Sequence, residues 1–374
     1  MMQRLGALSA IAVFTLAAIG CASVAEAPKP AAKADAPKGA EAAKAPAPKP
    51  KEPWKPTFKV YTKWPFDAKE AKRRQEETAK SLRIPVEKTI ELPYGVKMKF
   101  ILIPACEFVM GSPKTELKRK DEEAQHRVRI ALPYYLGKYE FLQEEWVVAK
   151  MRKGRFASVR SHHRGKKRPV EQASWLDAQK ALWLLNQKGL GTFTLPTEAE
   201  WEFACRAGTT TPFYFGDTIS VEQANYNGYS IYGKGKKGVW RMQTTDAGQF
   251  PPNAFGLYDM HGNVWEWCWD FYDKDYYTRK DSPKKNPLGP KKSPEGVVID
   301  PKTGPLHVQR GGGWGLSDAH QLRSAARESF GAKWRCRNGG FRVVLRTLQF
   351  PKPKPDAAKS KDEAKPKDKP KDKK

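Results

Sequence analysis

The longest apolar stretch in this chain, "LGALSAIAVFTLAAIG" from Leu5 to Gly20, stops at sixteen residues. That is short of the roughly 20 needed to span a bilayer as a helix. Acids are scarce: 41 Asp and Glu stand against 68 Lys and Arg, a net charge of +27. Aromatics are missing from Ala22 to Pro53 and from Pro351 to Lys374, so neither end can bury enough apolar surface to offset chain entropy. Cysteine is sparse, at five in 374 residues, which argues against a small disulfide scaffold. No internal repeat is visible, which argues against a solenoid or propeller.

What is present at the N-terminus reads as an export signal. A lone Arg4 precedes the apolar stretch, and "AAIGC" brings small residues up to Cys21. This resembles the lipobox of bacterial lipoproteins, in which that cysteine is lipidated and becomes the new N-terminus. Ala18 stands where the motif prefers Leu. Ordinary cleavage near "ASVAEA" is the alternative and releases a soluble protein. The reading is residues 1–21 as lipoprotein signal, 22–60 as an Ala/Pro/Lys linker, and 351–374 as a tail with ten lysines against five acids. The expected location is exported and membrane-anchored through Cys21, facing the periplasm or the cell surface. An exported basic chain points to anionic lipid, polysaccharide or peptidoglycan, or to an exported protein, rather than to nucleic acid. A solvated spacer explains the tails equally well.

Between the ends lies a folded region. Residues 66–83 predict a helix, with Asp67 as N-cap, Glu70 in the capping-box position and a thin apolar face that suits the protein surface. From residue 86 to 348 short apolar runs alternate with turns: "MKFILIP", "FVMG", "RVRIALP" and "YYLGKYEF" read as strands. Helices are expected near Leu142, after Ser174 (with Trp175, Ala178, Leu182 and Leu185 on one face), and after Thr197 with Glu200 boxed and Gly208 ending it. Gly208 to Leu257 reads as loop. The fold class is α+β, one large domain with much structured loop.

The elements in order, "IPACEFVMGS", "YYLGKYEF", "RPVEQASW", "TLPTEAEWEFACRAGT", "NAFGLYDMHGNVWEWCWDFY", "VQRGGGW", "RSAAR" and "GGFRVVL", resemble the formylglycine-generating enzyme family, also called the sulfatase-modifying factor domain. The resemblance runs from about Leu92 to Arg346. It implies a C-type-lectin-like variant with little regular secondary structure, in which aromatics fill an irregular interior. The family's oxidase converts a cysteine of a sulfatase to formylglycine with oxygen and copper, using two cysteines between its glycine-rich and "AAR" elements. Soft thiolates select Cu(I), and the pair must lie within reach of one metal. Here that segment, Arg310 to Arg327, has no cysteine. Leu316 falls near the first position and Ala319 to Gln321 near the second, and Gly313 replaces the family's serine. Copper is therefore not expected, and neither is the oxidase activity. His320 alone does not make a Cu(I) site. The expected function is a lipid-anchored binding or scaffold protein with a groove at Arg310, Trp314, His320 and Arg327. The alternatives are an oxidoreductase of the same fold with a changed site, and a polyanion binder acting through its basic tails.

The family also carries structural calcium. The resemblance assigns Asp259 and Glu266 as side-chain ligands and the carbonyls of Gly262 and Val264 as main-chain ones. Calcium's preference for mixed carboxylates and carbonyls around a tight turn gives the same residues a physical reason. The bland reading is a capped turn at Asp259 and an ion pair at Glu266. A second family site begins at Asn225 and is expected to be lost, because Lys234, Lys236 and Lys237 follow and no acid comes before Asp246. His261 is expected to be a hydrogen-bonded structural residue. His162 and His163 lie in a basic loop without metal-ligand spacing. The pairing of Cys106, Cys205, Cys268 and Cys336 is left open.

Overall fold

In a computed structural model of the chain, the described residues are 57–150, 160–293, 300–315 and 318–347. The expected signal segment, Cys21, the tail and Leu316 lie outside them.

Helix α1 (Ala68–Leu82) starts as predicted, with the Asp67 carboxylate accepting the Glu70 N–H at 2.8 Å. Its thin apolar face does not leave it loosely attached. Gln75 donates to the carbonyls of Leu102 and Phe255, and buried Arg74 lies 4.0 Å over the Phe66 ring. Polar side chains with matched acceptors thus dock a helix that hydrophobicity alone underestimates.

The strands follow in short pieces: β1 (Glu87–Glu91), β2 (Lys97–Ile103), β3 (Cys106–Met110), β4 (His126–Ile130) and β5 (Tyr134–Gly137). Next come α2 (Gln143–Ala149), α3 (Trp175–Asn186), β6 (Phe193–Thr194) and α4 (Glu198–Arg206). The Ser174 and Thr197 caps form as expected, each hydroxyl accepting the N–H three residues on. The left-handed residue that ends α4 is Ala207, with Gly208 behind it. After the long loop come β7 (Trp265–Phe271), β8 (Leu306–Arg310), β9 (Glu328–Gly331), β10 (Gly339–Phe341) and β11 (Val344–Arg346).

Three sheets result: five strands in the order β1-β2-β5-β11-β6, four in the order β10-β7-β8-β9, and the hairpin β3-β4. The run "GGFRVVL" is split between the two larger sheets. Arg342 and Val343 make the step. The guanidinium of Arg342 ties that step down, donating to Gly137 O and Tyr258 O and to the Glu266 carboxylate. The expectation of few regular elements and much ordered loop holds: Gly208 to Leu257 contains isolated bridges only.

Buried Glu145 on α2 accepts the Leu142 N–H at 2.9 Å, and burial pushes its pKa up to about 8. A carboxyl whose pKa is raised on folding binds protons more tightly folded than unfolded. Its contribution therefore favours the fold at low pH and is lost as pH rises from its unfolded value near 4.3 toward 8. Glu145→Gln keeps an acceptor for Leu142 and removes the titration. Its Tm should decline less between pH 5 and pH 8 than that of the parent; parallel Tm–pH curves would show that Glu145 does not carry the effect.

Candidate functional site

The stretch from Asp259 to Glu266 is shaped by backbone. Asp259, Gly262 and Asn263 have φ of 55°, 84° and 61°, so the chain curls back on itself within five residues. Only glycine fits at 262: a Cβ there would sit 2.4 Å from the Asn225 carbonyl oxygen. Asn263 is the hub of the curl. Its Oδ1 accepts from Thr245 N and Asn225 Nδ2, and its Nδ2 donates to Glu140. Trp265 and Trp267 are buried beside it, and Trp269 is exposed.

Three buried carboxylates lie around this curl, each within the field of Arg342. Glu266 is held by Arg342 and by the Trp201 indole N–H at 2.7 Å. Glu140 accepts the Val264 N–H at 3.0 Å, and Asp259 accepts the Gly248 N–H at 2.7 Å. All three are buried, and each feels its neighbours' charge. Burial raises Glu140 well above the carboxylate range and Asp259 to about 6. One guanidinium, Arg342, faces three acids. The second oxygen of Asp259 is buried with no donor. That orphan oxygen and the surplus of negative charge suit a divalent cation. Against this, Glu266 is already satisfied. Among the described residues no three acidic, His or Cys side chains converge as a ready metal cage. A calcium ion here would draw much of its shell from main-chain carbonyls such as those of Gly262 and Val264. At Asn225 the side-chain oxygen is likewise buried without a donor, and Lys234, Lys236 and Lys237 are exposed, so solvent screens the repulsion expected from them.

The four groove residues do not share an environment. Arg310 and Arg327 are fully buried and held by acids of α4. Arg310 pairs with Glu202 and, at 3.4 Å, with Glu198; Arg327 grips Glu198 at 2.7 Å and 2.8 Å. Arg206 completes the cluster on Glu202, and Arg323 pairs with Glu116 and Glu123 in a second one. These guanidiniums are interior structure, not groove-facing donors. Trp314 and His320 are half-buried and remain near the surface. His261 is a core residue as the sequence predicts: Leu322 O lies 2.6 Å from Nδ1, Nε2 lies 3.2 Å from Tyr214 N, and burial lowers its pKa to about 3.

All four described cysteines are free. Cys106, Cys205 and Cys268 are wholly buried, and burial raises the thiol pKa at each, so they behave as small apolar side chains. Cys336 is half-buried and also raised by burial.

Sequence reasoning missed the surroundings of Trp314. Its carbonyl accepts the Trp240 indole N–H at 2.8 Å, its own indole donates to Arg337 O, and the His163 ring meets it edge-on at 4.9 Å. Residues from three distant segments converge there, and no local pattern announces it. Glu140, three residues past the end of β5, was also missed, although an acid set between Tyr139 and Phe141 was a usable signal.

The fold and site define a loop-rich mixed α/β domain stapled by buried arginine–carboxylate pairs. Residues 92–347 match the sulfatase-modifying factor enzyme 1-like domain, and the chain belongs to that family. Over 193 residues it is 31% identical to the formylglycine-generating enzyme of Streptomyces coelicolor, covering 47% of this chain and 52% of that protein. It is 28% identical to the serine/threonine-protein kinase pkn1 of Chlamydia pneumoniae over 62% of this chain and 35% of the kinase. The chain thus spans about a third to a half of these relatives. Among solved structures, PvdO from Pseudomonas aeruginosa superposes with a TM-score of 0.55 at 27% identity, over 69% of this chain and 98% of that one. Treponema denticola variable protein 1 gives 0.55 at 25%, over 70% and 99%.

Proposed function

We propose that this protein is a binding or scaffold member of the sulfatase-modifying factor family that has lost the copper-dependent oxidation of cysteine. The observation that carries this is the state of its thiols. The Arg310–Arg327 segment has none, three of the four described cysteines are wholly buried, and Cys336 stands half-buried outside any disulfide. A Cu(I) dithiolate needs two neighbouring sulfurs, and the segment where the family holds them supplies none. The same reading attaches the chain to a membrane through lipid on Cys21 and exposes the domain to the cell envelope. It retains a structural calcium ion at Asp259, with the carbonyls of Gly262 and Val264; the unpartnered Asp259 oxygen supports it.

The test is one purified preparation examined three ways. Incubated with copper, oxygen and a cysteine peptide, it should produce no aldehyde. Metal analysis should find calcium near one equivalent or above, with copper and iron far below it, and Asp259→Ala should lower both the calcium content and the Tm measured with calcium present. Aldehyde formation would overturn the non-oxidase reading in favour of an oxidoreductase with a changed site. Unchanged calcium in Asp259→Ala would remove the ligand assignment alone.

A further inference from the structure

Two loops that are far apart in sequence form one surface beside Trp314. From Arg160 to Val170 and from Gln223 to Thr245 the sequence holds nine bases and no acid. The loops are stitched together: Arg168 donates to the Thr244 hydroxyl at 3.2 Å, and Ala247 N–H donates to Lys167 O at 2.9 Å. The second loop is a hairpin, closed by the Gly238 N–H to Gly228 O at 2.8 Å, with Lys234, Lys236 and Lys237 exposed at its tip. Lys166 and Lys167 are exposed on the first loop. None of these five lysines is in an ion pair among the described residues, in contrast to the arginines of the interior.

Aromatic rings line the same surface. Tyr229, 63% exposed, meets Trp240 with ring centroids 6.3 Å apart at 75°, and His163 meets Trp314 at 83°. A single-stranded nucleic acid is best held by successive parallel faces on which bases stack. Rings crossed this steeply offer no such ladder. Each instead presents one face and one edge, a corner that suits the C–H face of a single pyranose ring. Exposed Tyr229 and half-buried Trp240 and Trp314 supply apolar contact at low entropic cost, and surrounding lysines supply the charge complement for carboxylates or phosphates on the sugar.

We propose that this surface, formed by the Tyr229–Trp240 hairpin and the His162–Arg168 loop around Trp314, binds an acidic polysaccharide whose sugars carry carboxylate or phosphate groups. The proposal rests on the reading of the domain as a binding protein and names its ligand class. It places polyanion binding on the folded domain rather than on the lysine-rich tail.

The experiment uses the full chain and polygalacturonate as probe, with dextran as the neutral control, followed by calorimetry at two salt concentrations. Polygalacturonate should bind, more weakly at high salt, and dextran should not. The triple variant Lys234→Gln, Lys236→Gln, Lys237→Gln should bind at least about tenfold more weakly, and so should Tyr229→Ala. These four residues are exposed, so the fold should survive, which circular dichroism checks. A charge-matched variant, Lys371→Gln, Lys373→Gln, Lys374→Gln, should change the affinity much less. The proposal is overturned if polygalacturonate does not bind, if the tail variant loses as much as the hairpin variant, or if oligo(dT) or phosphatidylglycerol vesicles bind more tightly than polygalacturonate. Oxidation of the cysteine peptide would end the non-oxidase reading without touching this surface. A silent peptide assay with no polygalacturonate binding would end this proposal alone.

Discussion

Glu202→Ala should lower the stability of the domain by about 3–5 kcal/mol, the usual result of removing one partner from a buried ion pair. Glu202 is fully buried on α4, accepts the Gly111 N–H at 2.8 Å and the Arg206 Nε–H at 2.9 Å, and faces Arg310 with its other oxygen. Without it, Arg206 keeps only the carbonyls of Thr211 and Gly111, and Arg310 must share Glu198 with Arg327. Their main-chain acceptors, such as Ala325 O and Ala326 O for Arg310, satisfy geometry but not charge. For a domain of this size the loss corresponds to a fall in Tm of roughly 10 °C. Thermal melts followed by circular dichroism measure it. Replacing Glu202 and Arg206 together by leucine should recover part of the loss, because apolar side chains of similar volume can substitute for a buried pair. A fall of only a degree or two in Glu202→Ala would mean that water reaches the cluster and that the pairs are surface-like in energy.

Gly262→Ala should be nearly as damaging, by a different route. The residue has φ +84°, and its Cβ would meet the Asn225 carbonyl oxygen at 2.4 Å and the carbonyl carbon at 3.1 Å. The left-handed backbone and the clash each cost on the order of 1–3 kcal/mol, and backbone atoms have no rotamer with which to give way. Gly189→Ala is the control: φ is +71° there, but nothing lies within 4 Å of the added methyl, so only the smaller conformational cost remains. Denaturant melts of the two variants separate the terms. Equal losses would show that the Asn225 segment moves aside freely and that the curl from Asp259 to Glu266 is not tightly specified.

Much of the framework was legible in the sequence because its signals are local. The Asp67, Ser174 and Thr197 caps, the loop-rich middle and the strands β2 to β5 all follow from residues within a few positions of one another. The site was less legible. Arg310 and Arg327 look like groove donors until α4 is laid against β8 and supplies Glu198 and Glu202 to bury them. The same helix carries Trp201 to Glu266, a contact across 65 residues. Trp240, Trp314 and His163 meet only once three segments have folded. Electrostatic pairing over such separations leaves no periodic trace, so composition showed that the chain is basic but not which of its bases are buried.

The position of β11 bears on how the chain acquires its fold during synthesis. This strand, the last described, lies inside the five-stranded sheet between β5 and β6, and β10 just before it completes the other large sheet beside β7. The four-stranded sheet cannot be completed until residue 341 has left the ribosome and the tunnel, nor the five-stranded sheet until residue 346 has. Until then β5 and β6 present open edges to the surrounding solution, a state that invites mispairing. A nascent chain stalled near residue 338 would carry both incomplete sheets, and holding that intermediate apart from its neighbours is a demand the topology places on the cell's chaperones.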